Sequence, residues 1–133
     1  MTVEFGRVRV DPEGVAPPAG HYSHGIIASG RMLFVAGQVA LDEQGNLVGK
    51  GDPAVQARQI LTNMQRVIES AGGRMADVAR STVYLTSYEY RSEVAAVRRE
   101  FFPEPPPANT LLVVSALADP DFLVEMDAIV PLD

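Results

Sequence analysis

Glu125 and Asp127 stand two residues apart in Phe122-Leu123-Val124-Glu125-Met126-Asp127-Ala128-Ile129-Val130. Strand periodicity puts them on one face with Leu123 and Ile129. Phe122, Val124, Met126, Ala128 and Val130 then form the other face. The two carboxylates would sit on Cα atoms about 7 Å apart, the two-residue rise of a strand. A carboxylate partly withdrawn from water holds a proton more readily and can serve as a general base. The same pattern also fits a half-solvated strand face with two surface charges.

The other chemistry-bearing residues are sparse. His21 and His24 are the only histidines, in Gly20-His21-Tyr22-Ser23-His24-Gly25. Zinc needs three or four ligands, and no second ligand cluster accompanies them, so no metal is expected. Ser23 beside His24 lacks a defined acid partner, which argues against a hydrolase triad. The segment also fits a turn rich in hydrogen-bonding side chains. Gly37-Gln38 ends an apolar run and fits either a bulge or a close backbone approach to a ligand. Lys50 is the only lysine and lies between two glycines, a poor setting for Schiff-base chemistry. The chain has no cysteine, which excludes disulfides, thiolate metal sites and cysteine nucleophiles.

These groups must be positioned by a small protein. With 133 residues, 47% apolar and 21% charged, the chain fits one globular domain over residues 1–133. The net charge of −6 argues against nucleic acid or an anionic membrane as partner. Met1 to Arg7 carries no secretory signal, and no apolar run approaches a membrane span. A cytoplasmic protein is expected.

Residues 3–10 alternate loosely and end at the turn Asp11-Pro12-Glu13-Gly14. The runs Gly25–Ala28 and Met32–Ala36 are separated by Ser29-Gly30-Arg31, the spacing of a hairpin, and the second continues to Leu41. Residues 53–71 form the clearest helix, with Asp52 as N-cap, Pro53 at its first position and Gly72-Gly73 at its end. A strand at 81–86 follows, then a helix over about 88–102 that must stop before Pro103. Pro103 to Pro107 reads as a stiff loop. Strands at 110–114 and 122–130 close the chain, split by Asp119-Pro120-Asp121.

The order β-β-β-α-β-α-β-β predicts an α+β fold, a single mixed β-sheet with two helices packed on one face. Residues 111–114 are apolar on both sides, and one side lacks a cover within the chain. A subunit interface supplies one, so an oligomer is expected.

The chain resembles the Rid (YjgF-type) family of reactive-intermediate deaminases. The resemblance rests on His21–Gly25, Leu33–Gln38, Gln56–Asn63, Ser70–Gly73, Asp77-Val78, Ser81–Thr86, Phe101–Pro103, Pro106–Ala108 and Val124–Ile129, in order and at consistent spacing over residues 20–131. It implies a chorismate-mutase-like fold and a homotrimer with small-molecule clefts between subunits. It also implies cofactor-free hydrolysis of imines or enamines to a carbonyl and ammonia.

Residue by residue, the resemblance assigns Tyr22 and Gly37 to the pocket and Glu125 to water positioning. The family's substrate-gripping arginine follows Pro-Ala or Pro-Pro-Ala, and here that place is held by Asn109, followed by Thr110. Asparagine has no positive charge and no guanidinium fork. The resemblance therefore implies either a hydrolase with an altered substrate, Asn109 and Thr110 meeting it, or a catalytically weak trimer that binds a metabolite or protein partner. Arg80 and Arg91 are candidates to bring an arginine into the cleft from a neighbouring subunit. A ribonuclease reading is disfavoured by the acidic composition.

Overall fold

The computed structural model describes residues 7–133, so Val3 and Phe5 of the first predicted strand lie outside it. The chain orders as β1 (Arg7–Val10), β2 (Gly25–Ala28), β3 (Met32–Gln38), α1 (Pro53–Ser70), β4 (Arg80–Leu85), α2 (Arg91–Phe101), β5 (Ala108–Val113) and β6 (Val124–Pro131). Four strands form a mixed sheet in the order β3-β6-β4-β5, in which only β4 and β5 run parallel.

The helix signals in the sequence act as expected at α1. Asp52 accepts a hydrogen bond from the Val55 amide at 3.1 Å, and Pro53 occupies the first turn. The buried face of α1 carries Ala57, Ile60, Leu61, Met64 and Ile68. These pack with Val35, Val83, Leu85, Val124, Met126, Ala128 and Val130 from the sheet and with Val94, Val97 and Phe102 near α2 in one core. The alternation along β6 thus reaches the structure as predicted: Val124, Met126, Ala128 and Val130 are buried, and Glu125, Asp127 and Ile129 are half-buried on the opposite, open face.

Gln56 anchors this core to the start of β6. It is fully buried, donates to the Gly49 and Asp121 carbonyls at 3.1 and 2.9 Å, and accepts from the Leu123 amide at 2.9 Å. All three bonds meet loop backbone that no strand or helix would satisfy.

Three expectations need correction. The single sheet is divided, because β1 and β2 pair with each other as a separate antiparallel ladder. The hairpin expected between β2 and β3 does not form, because β3 pairs with β6. The reason lies at Gly30, which has φ +92° and abuts the Asp133 backbone, where a Cβ would collide. Arg31 hydrogen-bonds Asp133 through Nε at 2.7 Å, and the Leu132 amide donates to the Arg31 carbonyl. The turn therefore delivers β3 to the end of β6. Finally, α2 begins at Arg91, because Ser87 caps a short 3₁₀ turn over Tyr88–Tyr90.

The open face of the sheet carries exposed apolar side chains. Phe34 is 72% exposed there, and Leu112 of edge strand β5 is exposed beside Tyr84; Leu111 and Val113 are exposed on the other face of β5. Among the described residues, no helix is long and apolar enough to cross a membrane.

Candidate functional site

The polar groups of β6 have different local partners. Asp127 accepts from the Thr82 amide at 3.0 Å and from the Tyr84 hydroxyl at 3.1 Å. It is occupied in joining β6 to β4. That hydrogen bond, aided by burial, pushes the Tyr84 phenol above its ordinary range. Glu125 lies instead against Gly37. A Cβ built on Gly37 would fall 2.8 Å from the Glu125 carboxyl carbon. The ladder between β3 and β6 shifts register between Val35 and Gln38, so Gly37 sits in a bulge. Of the two readings of Gly37 from sequence, the register shift supports the bulge; the group packed against its backbone is Glu125.

Tyr22 and Asn109 meet elsewhere. The segment around Tyr22 is fastened to the chain before β5: Ser23 donates through its hydroxyl to the Pro106 carbonyl and through its amide to the Pro107 carbonyl. His21 Nε2 donates to the Phe102 carbonyl at 2.6 Å, and His24 Nε2 donates to the Ala16 carbonyl at 2.6 Å. Carbonyl oxygens only accept, which fixes the proton on Nε2 in both rings. The two histidines thus build the turn that presents Tyr22. Among the described residues, no three metal-ligating side chains cluster.

Tyr22 and Asn109 line a cleft of about 600 Å³ between this turn, α2 and β5. Arg91, Arg98 and Arg99 of α2 and Leu111 line it too. The positive charge absent at position 109 therefore enters from α2 of the same chain. Arg91 was legible as a candidate, but from a neighbouring subunit; Arg98 and Arg99 were not foreseen. The signal for Arg98 was its place on the apolar stripe of α2, four residues after Val94 and three before Phe101.

Thr110 points to the opposite face of β5. Its hydroxyl accepts from Arg80 Nη2 at 2.8 Å. Arg80, Thr82, Asp127 and Gly37 border a second, smaller depression of about 300 Å³ on the open face. Thr110 and Arg80 thus lie outside the cleft that holds Asn109 in this chain.

The predicted residues fall into two groups. Glu125 and Gly37 stand together on the open face of β6 and β3. Tyr22 and Asn109 stand together across the sheet, where register places Asn109 beside Ser81 on the helix side of β5. Strand β4 separates β6 from β5.

Known proteins share this arrangement of elements. A family model described as endoribonuclease L-PSP matches residues 13–132. YyfB of Yersinia pestis, a conserved Rid-family protein of unknown function, is 35% identical over 96% of this chain and 100% of its own, with a TM-score of 0.87. The chain belongs to the Rid (YjgF-type) family. RidA from the Antarctic bacterium Psychrobacter is 27% identical to this Rid protein over 94% of the chain and 99% of its own, with a TM-score of 0.71. A member of the YjgF/YER057c/UK114 family from Mycobacterium tuberculosis is 29% identical, covering 83% and 86% of the two chains, with a TM-score of 0.67. The two helices on a mixed sheet are accordingly the chorismate-mutase-like Rid fold.

Proposed function

We propose that this Rid protein is a cofactor-independent hydrolase that converts a small imine or enamine to a carbonyl compound and ammonia. The reading gives it a homotrimer, with each site assembled where two subunits meet. Glu125 and Gly37 of one chain would face the Tyr22–Asn109 cleft of the next. The observation that carries this reading is the division of the site: within one chain, Glu125 and Asn109 lie on opposite faces of the sheet. Exposed Phe34 and Leu112 supply apolar surface for the contact.

The chemistry follows from the carboxylate that the fold leaves available. Asp127 is held by Thr82 and Tyr84, whereas Glu125 rests over the Gly37 backbone. Glu125 removes a proton from water as the oxygen attacks the C=N carbon, and passes that proton to the nitrogen to give a carbinolamine. Glu125 then takes the carbinolamine hydroxyl proton and delivers it to the amine nitrogen. The C–N bond breaks, the carbonyl forms and ammonia leaves. Asn109 hydrogen-bonds a polar group of the substrate. Small molecules suit the cleft, whereas the acidic chain with its single lysine gives little attraction for RNA.

The test is ammonia release from imines freshly generated by an amino-acid oxidase, run beside light scattering. The expected results are release above the spontaneous rate and a mass about three times that of the chain. Ligand binding with no ammonia release would replace hydrolysis by a binding function. A stable monomer at micromolar concentration would remove the divided site.

A further inference from the structure

The arginine on the buried stripe of α2 is chemically unfinished. Arg98 is only 5% exposed, yet it forms no ion pair among the described residues. Its Nη1 makes one long bond, donating to the His21 carbonyl at 3.4 Å. Its guanidinium carbon lies 5.2 Å from the centre of the Phe102 ring. Nε and Nη2 are closed to solvent and meet no protein acceptor. Burial lowers its pKa to about 10, with Arg99 adding to the effect, so it remains a cation at neutral pH. An unpaired cation in such a place is costly, and an apolar side chain would fit the stripe better.

The unoccupied edge has a definite shape. Nε and Nη2 form the side of the guanidinium that matches the two oxygens of a carboxylate. Arg74 of this chain uses that same edge, holding both oxygens of Asp77 at 3.1 and 2.9 Å. Asn109 Oδ1 is likewise buried with no donor. Arg98 and Asn109 both line this cleft, and each carries solvent-closed polar atoms without a partner. These atoms are closed to solvent, so a bound molecule reaches the Nε–Nη2 edge only when the Arg98 side chain turns toward the cleft that this residue lines.

We propose that Arg98, from helix α2, is the residue that selects the ligand of this cleft. It grips a carboxylate through Nε and Nη2, while Asn109 Oδ1 accepts from an N–H or O–H on the adjacent carbon. The assignment rests on the cleft being the substrate site, and it moves the anion grip from strand β5 to the helix. The ligand is then read as a charge beside a donor. An arginine at 109 is not required for recognition, and Asn109 gains the separate task of testing for that donor.

Three probes separate these contributions. Lactate has the carboxylate and an adjacent hydroxyl, propionate lacks the hydroxyl, and lactamide lacks the charge. Calorimetric titration of the intact protein is expected to rank lactate above propionate and propionate above lactamide. Arg98→Met, which suits the apolar stripe, is expected to weaken lactate at least about tenfold and leave lactamide unchanged. Asn109→Ala is expected to bring lactate down to propionate and leave propionate unchanged. If Arg98→Met does not fold, Arg98→Lys retains the charge without the two-point edge and is expected to weaken lactate several-fold. Equal binding of lactate and lactamide, no lactate binding, or lactate affinity indifferent to the Arg98 variants would overturn the proposal. These readouts are independent of turnover. Absent ammonia release would sink the hydrolase reading alone, whereas lactate binding blind to Arg98 would sink this assignment alone.

Discussion

Glu125→Gln is expected to lower turnover by roughly 10²–10⁴-fold, the range for loss of a positioned general base. The amide keeps the length and shape of the side chain but cannot take a proton from water. The loss should fall mainly on kcat, because in the proposed mechanism Glu125 acts on the water while the cleft residues hold the ligand. The contact with Gly37 sets the position of the proposed base. A side chain at position 37 would occupy the space of the Glu125 carboxylate, so the glycine lets β3 and the acid approach closely. The subunit mass should be unchanged in the variant. Ammonia release from fresh imine checks the result, and an unchanged rate would remove Glu125 from the mechanism.

Gln56→Leu is expected to destabilise the protein by roughly 2–4 kcal/mol, the cost of leaving several buried backbone groups without partners. Leucine fits the volume of the fully buried glutamine. It cannot replace the bonds to Gly49, Asp121 and Leu123. The Leu123 amide lies two residues before Glu125, so the change also loosens the entry to β6. Thermal unfolding should show a fall in Tm of about 10 °C. A shift within a degree or two would mean that water or rearranged backbone satisfies those groups.

Legibility in the sequence followed the range of the interactions involved. Helix α1 was readable because its signals are local: Asp52 caps, Pro53 starts and the apolar stripe repeats at helical spacing. The two faces of β6 were readable because alternation requires no knowledge of the neighbouring strands. The partner of β3 was not, since a three-residue connection fits a hairpin until Gly30 meets Asp133 across the fold. By periodicity alone Glu125 and Asp127 looked alike; the family resemblance singled out Glu125, and the pairing of β6 with β4 adds a physical difference by setting Thr82 and Tyr84 around Asp127. Arg98 and Arg99 escaped for a similar reason. Arg98 stands on the apolar stripe of α2, but its burial and its place in the cleft with Asn109 emerge only when α2 is laid against the Tyr22 turn and β5.

The division of the site between subunits is tested most directly by pairing two inactive variants. Glu125→Gln disables the open-face half, and Asn109→Trp fills the cleft between the Tyr22 turn and α2. The two chains are co-expressed, and the mixed oligomers are assayed for ammonia release from fresh imine. The account predicts recovery to about a quarter of the native rate, the share of interfaces in which random assembly pairs two intact halves. A mixture as inactive as its two parents, with mixed oligomers verified by mass, would place both halves of each site within one chain and contradict the account.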